Sequence, residues 1–160
     1  MFAALERHKV GYVVIGGFAR VVHGSAEITR GLDITPSLRE HDIRRLGLAL
    51  EDLAAKRHGA AQLAPEALAG DERITIATAA GTLALVPTPW GTRGYDDIRI
   101  RANRENLGRG LRPRIASTVD LVRMLEVSSR AQDHDRLQRM RRMMELERLR
   151  GRRRGLQIER

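Results

Sequence analysis

The hydrophobic and polar positions divide this 160-residue chain into short, well-separated elements. Residues 1–9 predict a short helix with Phe2 and Leu5 turned inward. A run with two β-branched valines, Tyr12-Val-Val-Ile15, predicts a buried strand, and Gly16-Gly17 breaks it. Phe18, Val21 and Val22 then fall at helical spacing as far as His23, and a second strand from Gly31 to Thr35 stops at Pro36. Ser37 and Glu40 have the spacing of a capping box, predicted to open an amphipathic helix running to about Lys56. Residues 58–70, rich in Ala, Gly and Pro, predict a loop, with a helical stretch within it as the alternative. The alternation of Arg73-Ile-Thr-Ile-Ala-Thr78 and the run Thr82-Leu-Ala-Leu-Val86 predict an antiparallel hairpin across Ala79-Ala-Gly81. A short helix over 95–101, a Gly-rich loop over 107–113, a helix from Ser117 to about Ser128 and a last helix from about Gln132 to Leu149 complete the chain. The sum is an α/β (α+β) fold, a small mixed β-sheet with flanking helices and a C-terminal helical segment. Residues 1–130 form the core, and 131–160 form a helix with an Arg-rich tail, as part of that domain or an appendage.

Composition narrows the function classes. With aromatics at 3%, the core must be aliphatic, and with no cysteine there are no disulfides or thiolate metal sites. The five histidines show no metal-ligand spacing. No segment is apolar enough for a signal peptide or a membrane span, so a cytoplasmic protein without a membrane partner is expected. Twenty-nine basic residues against 20 acidic ones give a net charge of +9, carried almost wholly by arginine, which favours polyanionic partners.

The strand, glycine pair and helix at 12–23 suggest a place for phosphate, because glycine lets a ligand approach the backbone closely. A tight turn is the plain alternative. The order extends further: Gly16, Gly17, Gly24, Ser25, Thr29 and Asp33, then Gly81-Thr-Leu-Ala-Leu-Val86, Gly94-Tyr-Asp-Asp-Ile98 and Asp120 to Asp135. In this ordered set, covering about residues 10–140, the chain resembles the nucleotidyltransferase superfamily of DNA polymerase β type, in particular its AbiEii-type and minimal nucleotidyltransferase toxins.

The resemblance implies a nucleotide site with Gly16 and Gly17 as the phosphate turn, and with Ser25, Thr29 and Arg30 as further nucleotide contacts. Asp33 is implied as the catalytic carboxylate and metal ligand, and Mg²⁺ as the cofactor. The implied reaction is toxin–antitoxin-type nucleotidyl transfer from a nucleoside triphosphate to RNA, with tRNA as the acceptor by family analogy and a cognate protein as partner. That chemistry uses three carboxylates, two at i and i+2 on one strand and a third on a neighbour, to hold two Mg²⁺ about 3.5–4 Å apart. Here the i position is Gly31 and the third is Ala84, so two of the three are replaced. Glu27, Asp71, Glu72, Asp96 and Asp97 are substitute acids by proximity in sequence alone, and Asp96-Asp97 equally suits a helix start. The alternative is a catalytically inactive relative that binds RNA or a partner. An unrelated basic domain with an incidental glycine turn is a third reading.

The C-terminal arginines, Arg139, Arg141, Arg142, Arg148, Arg150, Arg152, Arg153 and Arg154, flank an apolar side of Met140, Met143, Met144 and Leu146. They read either as a solvated amphipathic helix or as an arm that neutralises nucleic-acid phosphates. The segment has no aromatic residue for stacking on bases.

Overall fold

The computed structural model describes residues 1–55, 68, 73–128 and 130–158. Among these, six helices flank a six-stranded mixed sheet, the α+β class expected. In chain order the elements are α1 (Phe2–Arg7), β1 (Tyr12–Ile15), α2 (Gly16–Val22), β2 (Gly31–Pro36), α3 (Glu40–Asp52), β3 (Ile74–Thr78) and β4 (Gly81–Leu85). After them come α4 (Tyr95–Ile98), β5 (Asn103–Arg104), β6 (Arg114–Ile115), α5 (Thr118–Val127) and α6 (Ala131–Ile158). The expected loop at 58–70 lies outside the described residues, Leu68 apart.

The strands run in the order β3-β4-β2-β1-β6-β5. β1 is antiparallel to β2 and parallel to β6, β2 is parallel to β4, and the hairpin partners β3 and β4 are antiparallel. All four β1 residues are buried, as its apolar run requires. Cross-strand partners share a face, so Ile15, Asp33, Ala84 and Thr75 form one row across four strands. Tyr12 alternates to the other face, where its hydroxyl donates to Glu6 of α1 at 2.9 Å. The core is aliphatic as expected. Leu5, Ile34, Leu46, Leu50, Leu83, Leu85, Ile115 and Leu121 are almost wholly excluded from solvent. Met140, fully buried on α6, belongs to the same core.

Three local readings need correction. The capping box at Ser37–Glu40 does not form. Ser37 is buried with its amide donating to the Gly11 carbonyl at 2.7 Å, so its hydroxyl reaches only the Arg39 amide and the helix starts at Glu40 without a side-chain cap. α2 begins at Gly16 itself, so the glycine pair is its first turn rather than a break before it. The last helix does not end near Leu149 but runs on to Ile158. The expected loop at 107–113 is loop, and it joins the two-residue strands β5 and β6, which pair beyond β1 at one end of the sheet. The start of α5 stands as read: Ser117 is its N-cap, its hydroxyl accepting from the Asp120 amide at 3.1 Å.

Candidate functional site

A cavity of about 530 Å³ opens between the face of the sheet that carries Asp33 and the helices α5 and α6. It is within the usual size of small-ligand sites. Five of the six residues implied as nucleotide contacts or metal ligand line it: Gly16, Gly17, Thr29, Arg30 and Asp33. Ser25 does not. It is buried beside Glu27 and helps hold that carboxyl in its charged form. The Thr29 hydroxyl is spent on the Gly31 carbonyl at 2.9 Å, so Thr29 shapes the β2 entry rather than presenting a donor. Arg30 is exposed beside it.

Gly16 is required where it stands. Its φ of +66° is costly for other residues, and a Cβ there would collide with the Asp33 carboxylate. The turn and the carboxylate are therefore packed against each other. As the first residues of α2, Gly16 and Gly17 also have amides without an acceptor inside the helix.

The register brings the three positions of the expected metal site together. Asp33 is directly opposite Ala84 on the neighbouring strand, and Gly31 precedes it by two on the same face. Only Asp33 bears a carboxylate, and the other two places are packed. A Cβ on Gly31 would lie 2.8 Å from the Thr82 carbonyl oxygen, and Ala84 is 1% exposed. An acid at 31 would require β2 and β4 to shift, and one at 84 would be desolvated.

Arg73 takes the remaining charge. It stands two residues before Thr75 and so on the face of Asp33, and its guanidinium donates to the Asp33 carboxylate at 2.8 Å. Among the described residues, no group of three or more His, Asp or Glu side chains is placed to hold a metal. The donor set does not fit a two-metal centre.

The substitute acids are engaged elsewhere. Asp96 pairs with Arg39 and Arg99, and Asp97 accepts from the Arg93 amide and pairs with Arg123, which is the helix-start role. Asp71 and Glu72 lie outside the described residues. Glu27 does line the cavity, but it is clamped by Arg20 through two bonds of 2.7 and 2.9 Å, with Arg136 at 3.7 Å on its outer side. Arg136 continues to Asp133 at 2.8 Å, and Asp133 accepts from the Ser128 hydroxyl. Burial pushes the Glu27 carboxyl up, but Arg20, Ser25 and Arg136 together outweigh it and hold the group below its ordinary range. Asp133 behaves alike, with Ser128, Arg136 and Arg130 outweighing its burial. This ladder ties α2 to the first turn of α6 and forms one wall of the cavity.

Sequence reading missed Arg73, Arg20, Arg136, Trp90 and Arg130, all of which line the cavity. Arg73 alone left a signal: in the alternating strand 73–78 it is on the polar side. The others come from segments whose approach only the tertiary fold reveals.

Of the C-terminal arginines singled out in the sequence, none that the structure describes lines the cavity. Met140 is buried and Met143 and Met144 partly so, against α5 and its surroundings. Arg139, Arg142, Arg148 and Arg150 are exposed, and Arg141 pairs with Glu126 at 2.7 Å. The side chains of Arg152, Arg153 and Arg154 lie outside the described residues. His23 on α2 meets the Ala116 carbonyl at 2.8 Å and lies 3.4 Å from Glu147, so it helps seat α6 rather than facing the cavity. Among the described residues, no helix is long and apolar enough to cross a membrane. In comparisons with known proteins, no family model matches the chain and no curated sequence matches it.

Proposed function

We propose that the protein binds a nucleoside triphosphate in the cavity under α5 and α6, through arginine rather than through a two-metal centre, and does not transfer the nucleotide. It is then a catalytically inactive nucleotidyltransferase relative. The observation that carries this reading is the charge balance of the cavity. Arg20, Arg30, Arg73, Arg130 and Arg136 line it against Glu27, Asp33 and Asp133. Glu27 and Asp133 are already neutralised within the wall, so with Arg73 set against Asp33 the exposed Arg30 leaves the charge available to a ligand positive.

Arg73 is the pivotal group. It is half exposed and held by one carboxylate, so it can turn its guanidinium to an arriving phosphate, whose oxygens match its planar fork. Gly16 and Gly17 place no side chain between that phosphate and the strand. A single Mg²⁺ arriving with the triphosphate would find Asp33 as the carboxylate beside the glycine turn, in competition with Arg73. The exposed α6 arginines support a second part of the reading, contact with RNA phosphates outside the cavity. Binding of a cognate partner protein is the other role open to an inactive relative.

Calorimetry with ATP and GTP, with and without Mg²⁺, tests the binding. A transfer assay with labelled nucleoside triphosphates and total tRNA tests the chemistry. The expected result is saturable binding without Mg²⁺ and no label on RNA. Label transfer that Asp33→Ala abolishes would establish the active reading instead.

A further inference from the structure

We infer that Trp90, with Arg130 laid over its ring, is a subsite for a flat aromatic base at the end of the cavity away from the phosphate turn. The inference rests on the nucleotide reading above. The cavity has two chemically different sides. One is formed by Gly16, Gly17, Asp33 and Arg73, with backbone and charge. The other, toward α5, carries Pro89, Trp90 and Met124. A ligand that fills such a space has an anionic end and a flat apolar end.

Trp90 is the chain's single tryptophan, and it lines the cavity while remaining 49% exposed. Its position is imposed by the backbone rather than left to a mobile loop. Pro87 and Pro89 are buried, and the Pro89 carbonyl accepts from both the amide and the hydroxyl of Thr92, at 3.0 and 2.7 Å. Gly91 has φ +70°, and a Cβ there would lie 2.9 Å from the Arg123 carbonyl, so the turn sits directly against α5. The indole is held out by a turn that cannot readily turn it inward. Arg130 lies 5.1 Å from the ring centre and adds a cation–π contact. A planar guanidinium and an indole together present surfaces on which a base of any identity can stack, because every base has a π-face.

The single tryptophan makes the test direct. Its fluorescence is followed while the intact protein is titrated with ATP, with inorganic tripolyphosphate and with ribose 5-phosphate, and calorimetry on the same solutions reports binding separately. The expected result is a saturable fluorescence change with ATP alone, at the affinity calorimetry gives. Tripolyphosphate should bind without that change. Trp90→Ala should weaken ATP binding by roughly 5- to 100-fold and leave tripolyphosphate binding as it was, with Trp90→Phe between the two. ATP binding that is calorimetrically normal in Trp90→Ala overturns the base subsite while leaving the phosphate site standing. Failure of both ATP and tripolyphosphate to bind overturns the nucleotide reading, and the subsite with it.

Discussion

Two carboxylates line the same cavity and are held in opposite ways. Glu27 is almost enclosed, gripped through both oxygens by a buried arginine, with Arg136 on its outer side. Asp33 is more open and has one exposed arginine on one oxygen. The first arrangement is fixed, since removing either partner strands a charge without water. The second is exchangeable, since Arg73 can return to solvent or pass to another anion at little cost. Glu27 therefore belongs to the wall that docks α6, and Asp33 with Arg73 belongs to the part that can respond to a ligand.

The sharpest way to break this contrast is to remove each acid. Glu27→Ala leaves Arg20 buried without its partner and should cost about 3–5 kcal/mol, a fall in Tm of roughly 6–20 °C by calorimetric melting. A loss no larger than that of a surface substitution would remove Glu27 from the structural wall. Gly16→Ala ranks next. The positive φ and the collision with Asp33 together predict a loss of about 1–3 kcal/mol in denaturant unfolding, with a disturbed cavity. Arg73→Ala should cost under about 1 kcal/mol, because the pair it breaks is half exposed, yet it should lower triphosphate affinity by roughly tenfold or more. Unchanged affinity would remove Arg73 from the site.

The smallest effect is the pH dependence. Glu27 and Asp133 both have folded pKa values below their ordinary ones, so they bind protons more readily when unfolded. Their contribution to stability is full above the unfolded values, about 4.3 and 3.9, and is lost as pH falls through the folded ones. Melting between pH 7 and 3 should show this acid loss in the native protein, and Glu27→Gln should flatten the part that belongs to Glu27.

The legible parts of the molecule are those with a local cause. β1, β2 and the β3–β4 hairpin follow from β-branched runs and alternation, and the N-cap of α5 from Ser117. β5 and β6 have two residues each and no period to detect; their pairing depends on β1 lying alongside. Ser37 showed the limit of a short motif, since a bond from its amide to Gly11, 26 residues earlier, overrode the capping box. At the site, the strand spacing put Gly31 and Asp33 on one face, and the resemblance implied Ala84 as the third position, which the register sets opposite Asp33. The arginine facing Asp33 and the wall from Trp90 to Arg136 come from 40 to about 100 residues away, where no local pattern points to them.

The most direct measurement is ATP binding by calorimetry to the native protein and to Asp33→Ala, each with and without Mg²⁺. If arginine holds the phosphates, binding persists without Mg²⁺, and Asp33→Ala keeps or strengthens it because Arg73 is released from its carboxylate. Binding that depends on Mg²⁺ and disappears in Asp33→Ala would contradict this and make Asp33 a metal ligand.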